Sequence, residues 1–502
     1  MTKNNSIGSR LVEPTADEII DTIYQPAMDT FDDISLARMC LLNEAYIVVL
    51  HQKDLITTDI AEKLLGGIQR IRAGGIESID RNPQYEGDYF AFENTLSADL
   101  GPSVTGWIHV GRSRNDIGAT LDRMKARDCC LAIMEQMNAT REVMLDAANK
   151  HAHTIMPGYT HLQPAQPSTF GFLLLNVAVA LQRDYERLSE AYKRINLSAL
   201  GTAAFAGTSF PIDRHKIASL LGLQGIVSPG IEAVASRDFV TELLSIVVGC
   251  QTMISRVAGD FHIYTSSEFN SIRFPDRVAG TSSIMPQKKN MFVLEFLRSE
   301  AGRGIGALAG ALSAIKGSNY SICLDATREG IYDAWPVLDR FATTLPLLSL
   351  VVSTAELNAD ELLERCRNNF STVTDLADGL VREHSISFRE AHHIAGDAVQ
   401  ETISTGGDAT ALSAEILIKA VQKEIGRDLD ISGEDIHRWM DPESGVNART
   451  TAGGVAPSEV ERQIKEARQS LENDSHSLAT KYSHIESAKV DLENAMKPLL
   501  ES

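Results

Sequence analysis

Three short runs in this 502-residue chain carry side chains whose types and spacing could do chemistry. In Gly280-Thr281-Ser282-Ser283-Ile284-Met285-Pro286-Gln287-Lys288-Lys289-Asn290, adjacent hydroxyls sit among small residues, a proline stiffens the exit and paired lysines precede an amide. Loops run over surfaces and carry function, so this mixture suits a segment that closes a base over a bound anion; a Ser-rich linker made soluble by lysine is the plainer reading. His109-Val110-Gly111-Arg112-Ser113-Arg114-Asn115-Asp116 gathers two guanidinium groups, a hydroxyl and an amide. Arginine grips a carboxylate through paired hydrogen bonds while serine and asparagine add neutral donors, although an Arg/Asp helix cap uses the same residues. In Met156-Pro157-Gly158-Tyr159-Thr160-His161-Leu162-Gln163-Pro164-Ala165-Gln166-Pro167, the prolines and glycine are expected to fix a loop displaying Thr160, His161, Gln163 and Gln166. Imidazole is the group best suited to moving protons near neutral pH, but a lone histidine also serves structure. None of these runs has metal-ligand spacing, a GxGxxG or a phosphate loop, so no metal or other cofactor is expected.

The elements that must position these runs read as helices. Ile34, Leu36, Met39, Leu41, Leu42, Ala45 and Val48 suggest one, Thr57-Thr58-Asp59-Ile60 reads as the cap of another over roughly 59–73, and Asp88-Tyr89-Phe90-Ala91-Phe92-Glu93 opens a third after a glycine-bounded loop. From about 113 to 365 long amphipathic helices dominate. Phe239, Leu243, Ile246, Cys250, Met253 and Val257 alternate spacings of four and three, the period of a bundle helix; Phe170, Leu174, Val177, Leu181 and Leu188 repeat it, as do Met137, Met144 and Ala148. The stripes are broad enough for burial against other subunits as well as within the chain. Beyond the Gly-rich stretch 447–454, Ser458 and Glu461 have capping-box spacing, and Val460, Ile464, Ala467, Leu471, Leu478, Ile485 and Leu492 carry a stripe onward, as one helix or a hairpin broken near Asn473-Asp474. With no internal repeat and little β-alternation, the expected class is all-α, divided as 1–112, a central bundle over 113–365 holding the 280–290 loop, and 366–502 with an extended terminal helix.

Composition narrows the partners. Asp and Glu number 67 against 47 Lys and Arg, a formal charge of −20, which argues against nucleic acid or an anionic membrane; an anionic small molecule would need a local basic pocket. Six cysteines (Cys40, Cys129, Cys130, Cys250, Cys323, Cys366) lack CxxC spacing and suit a reducing cytosol without zinc or disulfides. The polar start Met1-Thr2-Lys3-Asn4-Asn5-Ser6 has no apolar leader core, and no uninterrupted apolar run reaches membrane-spanning length, so a soluble cytoplasmic protein is expected.

Gly-Arg-Ser-Arg-Asn-Asp at 111–116, Pro-Gly-Tyr-Thr-His-Leu-Gln at 157–163, Arg237-Asp238 and Ser-Ser-Ile-Met-Pro-Gln-Lys-Lys-Asn at 282–290 together resemble the argininosuccinate lyase branch of the fumarase/aspartase superfamily, in order and spacing, and the likeness extends over most of the chain. The resemblance implies an all-helical, three-domain subunit with a central long-helix bundle, a homotetramer whose active sites each draw on three subunits, and cofactor-independent elimination of fumarate from an N-substituted L-aspartate. It implies Ser282 as the base, activated by Lys288 and nearby loop donors. Lys288 and Asn290, with Ser283 beside them, would hold the dianion formed on proton removal. Ser113, Asn115 and Thr160, flanked by Arg112, Arg114 and Gln163, would bind the fumarate half. His161 resembles the family histidine that pairs with a glutamate of the next subunit, Glu295 stands at that glutamate's place, and His161 becomes the proton donor to the departing nitrogen; residue types alone leave the order of base and acid open. Arg237 would be a further carboxylate or structural contact, and Tyr320 matches a family substrate residue.

Departures from the pattern fall where substrate would be chosen. Thr281 stands for a glycine, Met291 for a proline, Asp88-Tyr89-Phe90 for Asp-Ile-His, and Asp325 and Arg328 for a glutamine and a lysine that contact the amino-acid end of argininosuccinate. Argininosuccinate is the default substrate, an ethylenediamine-disuccinate-type aminocarboxylate whose amine would suit Asp325 is the alternative, and a silent crystallin-like protein is the reading from another class.

Overall fold

A computed structural model describes residues 14–501, so the polar run at Met1–Ser6 and its reading lie outside the described residues. Helix α1 (Asp33–Gln52) begins where the Asp32 carboxylate accepts the Ser35 N–H at 2.8 Å, and α2 (Thr58–Gly74) where the Thr57 hydroxyl accepts that of Ile60 at 3.3 Å. With α3 (Asp88–Leu100) and the short helix Arg214–Leu220, they enclose an N-terminal core of Met39, Tyr46, Leu64, Phe92 and Ile217.

The central core belongs to α4 (Arg114–Lys150), α5 (Phe170–Ile195), α6 (Asp238–Tyr264), α7 (Phe292–Ile315) and α8 (Ala334–Thr354). α4 packs on α5 and α8, while α6 packs on α5 and α7. The seven-residue stripes face inward as their spacing requires: Phe239, Leu243 and Cys250 are buried, as are Leu174, Leu181, Leu188, Met137 and Met144. A third core, with Leu376, Leu380, Ile394, Leu417 and Trp439, is formed by α9 (Val373–His384), α10 (Phe388–Ser404), α11 (Ala414–Ile425) and α12 (Gly433–Met440). Gly379 is fixed there by the Trp439 indole, which lies 2.6 Å from where a Cβ would sit.

The terminal helix α13 (Pro457–Leu500) is continuous. At the proposed break, the Asp474 carboxylate receives the buried Arg141 guanidinium at 2.7 Å and the Asp474 carbonyl accepts the Tyr185 hydroxyl at 2.7 Å, inside an unbroken helix. The expected capping box does not form. Ala456 is the N-cap and Pro457 the first helical residue, so Ser458 already lies within the first turn, and Glu459 instead accepts the Gly453 N–H at 2.8 Å. Leu478 and Ile485 lie in the bundle core and Leu492, Met496 and Leu499 in the N-terminal core, so this helix, grouped with the C-terminal domain on sequence, joins the other two cores.

Strands among the described residues are short antiparallel pairs: β1 (Ile155–Thr160) with β2 (Gln163–Thr169), β3 (Ile272–Arg273) with β6 (Glu356–Leu357), and β4 (Gly280–Thr281) with β5 (Lys289–Asn290). Asp33–Gln52, Asp238–Tyr264 and Leu324–Thr354 are long and apolar enough to cross a membrane by length and composition, and each places apolar side chains in the cores just described.

Candidate active site

At the start of α4, Ser113 is the N-cap. Its Oγ accepts the Asn115 N–H at 3.4 Å while its own N–H donates to the Asp116 carboxylate at 2.8 Å. Asp116 also accepts the N–H groups of Gly201 (2.8 Å) and Ala203 (3.0 Å), and Asn115 Nδ2 donates to the Ala204 carbonyl at 3.2 Å, so α4 is pinned to the 201–204 turn. Burial outweighs those donors and pushes the Asp116 carboxyl up to about 6. A helix cap is therefore present in this run, and the capping Ser113 hydroxyl, which accepts one bond, keeps its own proton free to donate.

Arg112, expected among the substrate contacts, is turned into the N-terminal core at 4% exposure. Its guanidinium donates to Asn43 Oδ1 and lies over the Tyr46 ring, 4.5 Å from the centroid. Arg114 faces outward over Phe90 at 4.1 Å. Tyr89 Oη and His109 Nδ1 lie 3.0 Å apart, and burial, helped by Arg112 and Arg114, lowers the His109 pKa to about 4, so this imidazole is neutral at pH 7. Arg237 takes the structural of its two expected roles: it is buried, pairs with Asp122 at 2.8 Å and donates to the carbonyls of Val234 and Ser236 at 3.0 Å. Tyr320 donates its hydroxyl to Glu232; Asp325 is exposed, and Arg328 is paired with its neighbour Glu329 at 2.7 Å.

The other end of the bundle carries the remaining residues. Thr160, His161 and Gln163 are exposed at the tip of the β1–β2 hairpin, where a looser loop was expected. His161 (φ 55°) and Leu162 (φ 60°) form a two-residue turn in the left-handed region, the geometry that closes a tight hairpin. Nearby, β4 and β5 close the base of a second hairpin whose connection is 282–288. Gly280 is required there, since a Cβ would lie 2.9 Å from the Phe292 ring. The two lysines differ: Lys289 donates to the Phe274 carbonyl and pairs with Asp276 at 2.8 Å, tethering the hairpin, while Lys288 has no side-chain partner among the described residues. Ser282 Oγ accepts the N–H of Met285 at 3.1 Å and of Ile284 at 3.4 Å. Ser283 is exposed beside it, and Asn290 Nδ2 donates to the Thr281 carbonyl at 3.5 Å. Glu295, at the start of α7, lies 3.8 Å from His262 Nε2 within the same chain.

Ser113, Asn115, Arg237 and Tyr320 thus share one end, and Thr160, His161, Ser282, Lys288, Asn290 and Glu295 the other. Between them runs α4, 37 residues long, or about 55 Å. The sequence-predicted site residues of one chain therefore fall into two groups. Sequence reasoning missed Glu232, Asn43 and Asp122, none of which belongs to a motif; the Pro229-Gly230 turn before a short apolar helix with a single carboxylate was the available signal for Glu232.

Residues 32–306 match the lyase family model, and residues 370–447 match the argininosuccinate lyase C-terminal family. Argininosuccinate lyase 1 of Shouchella clausii (strain KSM-K16) is 34% identical over 479 residues, 95% of this chain and 96% of that one. Argininosuccinate lyase of Methanosarcina mazei is 35% identical over 444 residues, 88% of this chain and 89% of the relative. Among solved structures, EDDS lyase in complex with formate superposes with a TM-score of 0.86 at 30% identity, covering 97% of this chain and 96% of its own. A fumarate lyase from Mesorhizobium sp. BNC1 shares the fold, with a TM-score of 0.71 at 18% identity over 88% of this chain and 97% of its own. With a family model matched over more than half its length and relatives about a third identical along most of it, the chain belongs to the lyase family, in its argininosuccinate lyase branch, and is a carbon–nitrogen lyase.

Proposed function

We propose that this enzyme releases fumarate from argininosuccinate, leaving arginine, as a cytoplasmic homotetramer whose active sites combine the ends of different protomers. The observation that carries the chemistry is Ser282, whose Oγ faces two backbone N–H groups. An unassisted serine is far too weak to take a proton from carbon. Preorganised amide dipoles aimed at the oxygen, with the unpaired Lys288 ammonium close by in sequence, stabilise the alkoxide it must become.

Ser282 removes the proton from the carbon beside a carboxylate of the succinyl half, and the electron pair moves into that carboxylate to give the doubly charged aci-carboxylate. Thr160, Lys288 and Asn290 from one end of the bundle, with the Ser113 and Asn115 donors from the other, hold that charge. The pair then returns to form the C=C bond as the C–N bond breaks, and His161, oriented by Glu295 of a neighbouring protomer, gives a proton to the departing nitrogen.

Half-sites at opposite ends are completed when bundles pack antiparallel, which a two-fold axis produces. The surface suits such packing: Ile305 and Leu312 on α7 are each 53% exposed, and at Gly302, Gly306 and Gly310 an added Cβ would meet nothing within 4 Å. A groove of about 530 Å³ between α5 and α6, lined by Ile246, Gly249 and Met253 with Arg183 and Arg187, offers a second contact face. Six free thiols, five of them buried, suit a reducing compartment. The exposed Asp325 and the likeness to EDDS lyase favour an ethylenediamine-disuccinate-type substrate as the second reading. Fumarate release assayed with both substrates decides: efficient turnover of argininosuccinate supports the first reading, and turnover of the aminocarboxylate alone replaces it.

A further inference from the structure

Glu232 lies on the short helix Gly230–Ala235, which no motif marks. The helix is seated tightly, since a Cβ on Gly230 would lie 1.9 Å from the Phe205 carbonyl oxygen. Its far end is held by the Arg237 guanidinium, which donates to the Val234 and Ser236 carbonyls at 3.0 Å. The turn beneath it is the one that receives Asn115 Nδ2 on the Ala204 carbonyl. Glu232 is therefore fixed to the same rigid piece of protein as the Ser113 and Asn115 donors.

The carboxylate itself is half-buried, and its one hydrogen-bonding partner among the described residues is the hydroxyl of Tyr320, which reaches Oε2 from the loop that follows α7. The Tyr320 side chain is otherwise in solvent, 73% exposed. Arg123 lies within electrostatic range, but its guanidinium is buried, stacked 4.2 Å over Phe239 and bonded to the Arg194 carbonyl at 2.8 Å, so Glu232 makes no ion pair with it. A carboxylate with one neutral partner, no paired cation and a free oxygen at the rim of a ligand site is poised to accept a cation.

We propose that Glu232 receives a positively charged nitrogen on the departing half of the substrate, with Tyr320 holding the carboxylate in place, so that one scaffold meets the anionic half with donors and the cationic half with an acceptor. The inference rests on the lyase reading above and names what that reading leaves open: the enzyme selects succinyl amines or succinyl guanidines whose leaving half carries a further cation. In argininosuccinate that group is the α-ammonium.

The test compares argininosuccinate with its analogue lacking the α-ammonium, in the wild type, Glu232→Gln and Tyr320→Phe, reading kcat and KM for fumarate release. Glu232→Gln keeps an acceptor for Tyr320 and loses only charge. It should raise KM for argininosuccinate roughly ten- to hundredfold, the worth of one charged hydrogen bond, and leave KM for the analogue within about twofold of wild type. Tyr320→Phe, which removes the hydroxyl that holds the carboxylate, should weaken the preference for the cationic substrate by less than Glu232→Gln does. An equal KM change for both substrates, no change for either, loss of fumarate release from both in Glu232→Gln, or a larger loss of preference in Tyr320→Phe than in Glu232→Gln overturns the assignment. Failure of the wild type to release fumarate from any succinyl compound sinks the lyase reading instead, so the two failures are distinguishable.

Discussion

The separation of the two half-sites can be tested by mixing protomers. Asn115→Ala removes a donor from one end while sparing the Ser113 cap, and Ser282→Ala removes the proposed base from the other; the two positions lie toward opposite ends of the bundle, along which α4 runs for about 55 Å. Each variant alone should lose at least about a hundredfold in kcat, the usual scale for removing a general base or an oxyanion donor. When equal amounts are dissociated and reassembled at random, a site is intact if the chain supplying position 115 carries only the Ser282 change and the chain supplying position 282 carries only the Asn115 change. Each condition holds half the time, so about a quarter of sites, and about a quarter of wild-type activity, should return. Differently tagged chains co-purified as mixed tetramers and assayed for fumarate release give the number. Reassembling wild type with the double variant should likewise give about a quarter of full activity, whereas sites confined to one chain predict no recovery in the first mixture and about one half in the second. That pair of results would refute the shared-site argument whatever the substrate.

Other consequences concern stability and the loop. Burial raises the Glu44 carboxyl to about 7, against the pull of Arg72 and with Glu493 adding to the rise; an unfolded glutamate titrates near 4.3, so the neutral side chain favours the fold. That stability is fully present below about pH 4.5 and is lost as pH rises through 7, up to about 3 kcal/mol in all, so Glu44→Gln should flatten the fall in Tm between pH 5 and 8 in a thermal-shift series. Asp474→Asn leaves the buried Arg141 without its carboxylate and should cost about 3–5 kcal/mol in denaturant unfolding, while the added change Arg141→Met should recover much of it. Lys288→Met should lower kcat by roughly a hundredfold or more, whereas Lys289→Met, which removes the tether to Phe274 and Asp276, should act mainly on loop order, seen as increased proteolysis within 282–288.

Much of this architecture was legible in residue spacing, and the exceptions have physical causes. The stripes through Phe239 and Leu174 revealed the bundle because a buried helix must repeat its apolar face at a fixed period. The 156–167 run concealed its hairpin because prolines mask strand alternation and the turn places His161 and Leu162 at positive φ without the usual Gly or Asn. Ser458 and Glu461 had the right spacing for a cap, but Pro457 fits the first helical position, so the helix starts ahead of them. Arg112 and Arg114 are two residues apart and looked alike, yet a partner 69 residues upstream, Asn43, draws one into the core. Residue types announced the chemistry; the distance between its halves emerged only once α4 was seen to be unbroken.

The two ends of the bundle are held in different ways. The Ser113 and Asn115 donors, Glu232 and Arg237 are locked together through Asp116, the 201–204 turn and the Asp122 ion pair, a rigid half with its polar groups satisfied from behind. Across the bundle, pairing of Gly280 with Asn290 and the Lys289 tether fix the base of the second hairpin, and 282–288 form its connection. Ser282 takes its amide donors from within that segment, from Ile284 and Met285. In the proposed role of Ser282 as base, closure of the loop would bring in the serine and its alkoxide-stabilising dipoles as one unit.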